Sequence, residues 1–183
     1  MIDALNKPKQ KSSLNKRLLI LVDKSFEDLE LWYTKIRLAE AGADVIIVGA
    51  EIKEYTGLHG LTAIPEIIMD KALATEYDGI IIPGGYAPDF LRRYEVILKL
   101  VHDFNEQKKL VAFICHAGWV PISAKILKNR QATGLIAIKD DLINAGAIWK
   151  DEPVVIDDNL ISSRRPNDLP CFCDAIINFL QNA

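Results

Sequence analysis

Leu110-Val111-Ala112-Phe113-Ile114-Cys115-His116-Ala117-Gly118-Trp119 is the stretch that decides the fold. Five apolar residues in a row suit a strand buried on both faces. Ala117 and Gly118 follow, and then a helical spacing through Val120, Ile122, Ala124 and Leu127. Cys115 therefore falls at a strand-to-helix turn. In an α/β sheet that turn lies at the carboxyl edge of the strands, where a nucleophile can be presented beside a helix amino-terminus. The helix dipole and its free N–H groups favour a thiolate, which predicts a Cys115 pKa well below the ordinary value of about 8.5. Two readings stay open at this point: a nucleophile followed by its histidine, and a buried structural cysteine at a strand end.

Working outward, the same alternation repeats. Leu18 to Val22 reads as the first buried strand. Ser25 with Asp28 forms a capping box, and a helix from about Phe26 ends at Gly42. Asp44 to Val48 is a second strand, and strand–helix–strand implies a parallel sheet. Thr56 to Ile64 is a hairpin or arm around Gly57 and Gly60, with His59 as a surface polar residue. Asp70 is expected to cap a short helix over Lys71–Thr75. Ile80-Ile81-Ile82 is the third strand, and Tyr94 to Gln107 an amphipathic helix with Ile97, Leu98, Val101 and Phe104 on one face. Beyond the cysteine come a short strand at 131–133, a helix from Ile138 stopped at Gly146, and short strands at 147–149, 154–156 and 160–162. The last two make a hairpin. A final helix is capped at Asn167-Asp168. The expected architecture is a central parallel sheet of about five or six strands with helices on both faces.

Three places carry candidate chemistry besides Cys115 and His116. Glu27, Asp28 and Glu30 stand at the start of the first helix. Dipole complementarity and solvation account for Glu27 and Asp28, whereas Glu30, between Leu29 and Leu31, is the one expected to turn inward over the sheet edge. Pro83-Gly84-Gly85 ends the third strand, and its glycines can bring backbone N–H groups to an oxyanion. His59 has no second histidine or cysteine at ligand spacing, so no metal site is expected.

The 183 residues fit one domain over 16–183 behind a polar, basic tail over 1–15. A net charge of −3 argues against nucleic acid as the main partner. No apolar run reaches membrane-spanning length and the first residues lack a signal-peptide core, so no membrane role and a cytoplasmic location are expected. Three cysteines, Cys115, Cys171 and Cys173, give no disulfide framework and fit a reducing compartment. Cys171 and Cys173 read as core filler.

Taken together, Phe26-Glu27-Asp28-Leu29-Glu30, Gly57-Leu58-His59-Gly60, Pro83-Gly84-Gly85-Tyr86-Ala87-Pro88-Asp89, Ile114-Cys115-His116, Lys139 to Gly146 and Ser162-Ser163-Arg164 resemble the PfpI/ThiJ superfamily over about residues 17–181. The resemblance implies a flavodoxin-like three-layer α/β sandwich with a mostly parallel sheet, related to class I glutamine amidotransferases. It implies a homodimer or higher assembly, and no cofactor. It places the reactive nucleophile on Cys115, its histidine on His116, the glutamate touching the sulfur on Glu30 with Glu27 second, and the oxyanion N–H groups on Gly84, Gly85 and His116. In peptidase-like members a glutamate from a neighbouring subunit completes a triad; the matching residue here is Asp89, one methylene shorter. Cys-His-Gly-Pro is replaced by Cys115-His116-Ala117-Gly118 followed by Trp119, and a tyrosine near the site by Leu135. The resemblance therefore implies a cysteine-dependent enzyme of the glyoxalase or deglycase type acting on small reactive carbonyls. The alternatives are a cysteine peptidase or amidase acting on peptides, and a redox sensor or chaperone using Cys115 without catalysis.

Overall fold

The computed structural model describes residues 14–183. In chain order the elements are β1 (Arg17–Leu21), α1 (Asp28–Glu40), β2 (Asp44–Gly49), β3 (Tyr55–Thr56), β4 (Thr62–Ala63), β5 (Ile67–Ile68), β6 (Gly79–Ile82), α2 (Ala87–Leu91), α3 (Glu95–Glu106), β7 (Leu110–Ile114), α4 (Trp119–Ser123), β8 (Gln131–Ala132), α5 (Lys139–Asn144), β9 (Ile148–Trp149), β10 (Val154–Asp157), β11 (Leu160–Ser163) and α6 (Leu169–Asn182). Seven strands make the central sheet in the order β10-β11-β7-β6-β1-β2-β5. Every pairing in it is parallel except that of β10 with β11. The sheet is larger than expected because β5, two residues long, adds an edge after β2, and the 154–163 hairpin joins the other side.

The middle of the sheet explains the apolar runs. β6 and β7 are fully buried, and β1 is buried beyond Arg17, as strands covered on both faces must be. α1 and α6 pack together on one side, while α3 lies on β6 and β7 and contacts α4 on the other. β8 and β9 form a separate parallel pair. β3 and β4 form the antiparallel arm.

Several local expectations change. Ser25 does not cap α1. It sits in the left-handed region at φ 57°, and Glu27 is the N-cap, its carboxylate accepting the Glu30 N–H at 2.7 Å. Asp70 caps nothing: short 3-10 turns at Met69–Lys71 and Ala74–Glu76 replace the expected helix. Asp168 precedes α6 without a side-chain capping bond, because its carboxylate accepts from Arg164 instead. The helix after the cysteine stops at Ser123 and does not reach Leu127, with Lys125 turning left-handed at φ 60°. Cys173 is core filler, but Cys171 is exposed. Of the expected tail, residues 1–13 lie outside the described residues, while Leu14 and Asn15 donate backbone bonds to Ala41 and Gly42.

Candidate active site

Cys115 terminates β7, the third strand of seven, at the carboxyl edge of the sheet. Its φ is 63°, a costly conformation for a residue with a Cβ. The preceding Ile114 is fully extended, and the chain winds at once into a 3-10 turn, Cys115–Gly118. The sharp reversal lifts the thiol off the strand. Gly84 and Gly85, at the end of neighbouring β6, give it room. A Cβ on Gly84 would stand 2.7 Å from both Cys115 Cβ and Glu30 Oε2. Gly85, at φ 76°, bridges to Phe26 and presses on the Ser25–Glu27 backbone, so a side chain there meets both strain and collision.

Glu30 comes from the first turn of α1 and is completely buried. Oε2 accepts the Gly84 N–H at 2.7 Å, while Oε1 has no ordinary hydrogen-bond partner and the carboxyl meets the Cys115 thiol. Burial pushes the Glu30 carboxyl up to about 8, against the opposing pull of the Gly84 N–H and helped by the Glu27 charge. At neutral pH it is a carboxylic acid and can donate to sulfur. The Gly84 N–H is therefore engaged by Glu30, and the backbone N–H groups turned to the sulfur are those of Gly85 and His116.

The expected acidic thiol is not what these surroundings favour. Cys115 is 7% exposed. Burial, and then the Glu30 charge, push its pKa up to about 12, with the His116 and Gly85 N–H groups pulling the other way. The helix dipole is weak because α4 is only five residues long and a 3-10 turn separates it from the sulfur. The push from Glu30 exists only while Glu30 is ionised, so the protonated acid lowers that ceiling. His116 offers the complementary group: Nδ1 lies 3.6 Å from Sγ, and burial holds the imidazole below its usual pKa. A neutral imidazole beside a neutral thiol can take its proton as a carbonyl carbon arrives.

The remaining candidates separate. Glu27 is buried and caps α1, with its other oxygen 3.6 Å from exposed His59 Nε2. Asp28 is also buried, contrary to the solvated role expected for both: its carboxylate accepts the His59 and Leu61 N–H groups at 2.8 and 2.7 Å and so pins the β3–β4 arm to α1. Asp89 lies on α2, with its side chain 41% exposed and paired to Arg93. Leu135 donates its N–H to the Cys115 carbonyl at 3.1 Å. Sequence reasoning missed the aromatic surroundings of His116. The Trp119 ring centroid is 5.1 Å from the imidazole and that of Tyr86 is 6.5 Å away. The available signal was an aromatic residue three positions after His116 and another directly after Gly85. No cluster of three or more His, Cys, Asp or Glu side chains is arranged for a metal ion among the described residues.

The DJ-1/PfpI family profile matches residues 16–179. This chain belongs to the DJ-1/PfpI family. The deglycase PfpI of Pyrococcus furiosus is 38% identical over 165 residues, covering 90% of this chain and 99% of that protein. The putative cysteine protease YraA of Bacillus subtilis is 38% identical over 173 residues, covering 92% and 100%. Among solved structures, a two-domain protein from Anabaena variabilis with DJ-1/ThiJ/PfpI-like and ferritin-like domains matches with a TM-score of 0.90 and 40% identity, covering 91% of this chain and 48% of that one. Among the described residues no helix is long and apolar enough to cross a membrane.

Proposed function

We propose that this protein is a cysteine-dependent enzyme acting on small reactive carbonyls, a glyoxalase or deglycase. The observation that carries the reading is the threefold contact of Cys115, with His116 Nδ1 at 3.6 Å, the buried Glu30 carboxyl, and the N–H groups of Gly85 and His116. The deglycase names of relatives at 38% identity agree with it. With a 2-oxoaldehyde, His116 takes the thiol proton as the Cys115 sulfur–carbon bond forms, and the aldehyde oxygen receives a proton to give a hemithioacetal. Proton transfer between the adjacent carbons converts this to the thioester of a hydroxy acid. Water then cleaves the carbon–sulfur bond, releases the acid and restores the thiol. Glu30 donates to sulfur when it carries negative charge. No added thiol or metal enters the balance.

The site is also proposed to work in a homodimer or higher assembly in a reducing cytoplasm. Leu29, Tyr33 and Ile36 of α1 and Leu58 and Leu61 of the arm are large apolar side chains left exposed, more than a lone surface residue explains. An assembly that brings Asp89 of one chain to His116 of another would orient the imidazole. Of the residues that follow Gly85, Tyr86 is exposed and can add contact area, whereas Pro88 is buried and Phe90 lies under Lys24.

The second reading, a cysteine peptidase, draws on the same contact and on the name of YraA. Methylglyoxal loss and lactate formation, measured with chelator and without glutathione, separate the two when run beside a fluorogenic peptide and a Cys115→Ala control. Cys115-dependent lactate with little peptide cleavage is expected. Robust Cys115-dependent peptide cleavage without lactate would replace the first reading by the second. Two blank assays would leave the redox sensor or chaperone.

A further inference from the structure

We propose that Tyr86, His116 and Trp119 form an aromatic wall beside Cys115 that selects carbonyl compounds bearing a planar aryl substituent over their methyl counterparts. This deepens the reading of Cys115 as a nucleophile toward carbonyls and rests on it for its biological meaning.

Trp119 is held in place from several sides. Its indole N–H donates to Asp141 Oδ2 at 2.8 Å. The Arg92 guanidinium sits 5.9 Å from its ring centroid and is anchored in turn by donating from Nε to Ser123 Oγ at 2.9 Å. The imidazole of His116 packs against it, tilted by 39°. Tyr86 is near parallel to His116, at 22°, yet leaves 59% of its surface open. Its backbone is fixed, since its N–H donates to Ser25 at 2.8 Å, while its ring has a free face. Rings of this kind gain most from another ring, in offset or edge-to-face contact.

The carboxylates around the site are already engaged, which leaves no free anion to draw a cationic substituent. Glu27 caps α1, Asp89 holds Arg93, and Arg164 holds Asp151 and Asp168. A cationic ligand over the indole would meet Arg92, already placed there. Leu135, whose N–H donates to the Cys115 carbonyl at 3.1 Å, adds an aliphatic side chain.

The test uses alkylation and so needs no turnover. The full-length protein is treated with 2-bromoacetophenone or bromoacetone, and modification of each cysteine is followed by mass spectrometry. In both reactions the sulfur–carbon bond forms, the carbon–bromine bond breaks, bromide leaves and the thiol proton passes to solvent. Exposed Cys171 serves as the internal reference, because it cancels the intrinsic difference between the reagents. The aryl-to-methyl rate ratio at Cys115, divided by that at Cys171, is expected to be roughly tenfold, the scale of one or two aromatic pairs. It should fall towards one in Trp119→Leu and part of the way in Tyr86→Ala, an exposed position where folding is not at stake. An equal ratio at both cysteines in the wild type, a ratio untouched by both substitutions, or no reaction at Cys115 would overturn the proposal. So would equal slowing of both reagents in Trp119→Leu, which would make Trp119 a positioning residue for His116. Failure to convert methylglyoxal would sink the enzymatic reading and leave this ratio standing.

Discussion

The first turn of α1 and the first turn of α2 flank the same sulfur and could hardly be built more differently. Around α1, Glu27, Asp28 and Glu30 are all buried, and each has a task inside the chain: Glu27 caps the helix, Asp28 pins the arm, Glu30 meets Gly84 and the thiol. Around α2, Tyr86 and Asp89 face outward, and Asp89 pairs with Arg93 one turn on. One side of the site is finished by the fold. The other is left for a ligand or a second chain. Carboxylates in the closed turn should therefore control stability and proton affinity together, and those in the open turn should control neither.

The sharpest break of that contrast is Gly84→Ala. A methyl 2.7 Å from Cys115 Cβ and Glu30 Oε2 forces the sheet edge apart, at a cost of about 1–3 kcal/mol by analogy with overpacked cores. It should also lower Cys115-dependent turnover by about 100-fold, the scale of a misplaced reacting group. Thermal unfolding and a kcat/KM measurement check both, and an unchanged turnover would show that the closed side is not needed for chemistry.

Glu30→Gln comes next and reverses the sign. The folded carboxyl titrates at about 8 against an ordinary 4.5. The unfolded chain therefore releases its proton first, and stability falls as pH rises from 4.5 towards 8. Glutamine mimics the protonated acid and removes that loss. The variant should be more stable than the wild type by on the order of 4 kcal/mol at pH 8 and indistinguishable near pH 4, read from urea midpoints, while its turnover drops.

Asp28→Ala leaves the buried acceptor side of two arm N–H groups empty, at about 1–3 kcal/mol, with a matching rise in amide exchange at His59 and Leu61. Asp89→Ala should change stability by no more than about 0.5 kcal/mol, as exposed ion pairs one turn apart do. If it abolished turnover without touching stability, the open turn would be catalytic through a neighbouring subunit.

The pH profile sharpens the same comparison without mutation. Burial lowers the His116 pKa, so the rate should rise with pH over a limb below the ordinary imidazole value of about 6.5. It should fall as Glu30 ionises at about 8, because the carboxylate no longer donates to sulfur and opposes negative charge there. Loss of the alkaline limb in Glu30→Gln would assign it.

Much of this was legible in the chain itself. The apolar runs at Leu18–Leu21, Gly79–Ile82 and Leu110–Ile114 can only be satisfied in the middle of a covered sheet, so the parallel architecture and the position of Cys115 at its carboxyl edge follow from local pattern. Glu30 stands out because Leu29 and Leu31 flank it, and it is buried as expected although Leu29 is 54% exposed. What sequence could not give was the electrostatic outcome. Proximity in the chain argued for a thiolate at a helix amino-terminus. The tertiary structure put a buried carboxyl against the sulfur and left only a five-residue helix behind it, so desolvation outweighs the dipole. Nor could it show that Asp28 reaches 31 and 33 residues ahead to hold the arm, or that Tyr86 and Trp119, 33 residues apart, converge on one imidazole. Periodicity reports which side of an element is buried, whereas the proton affinity of a group depends on which elements the fold stacks against it.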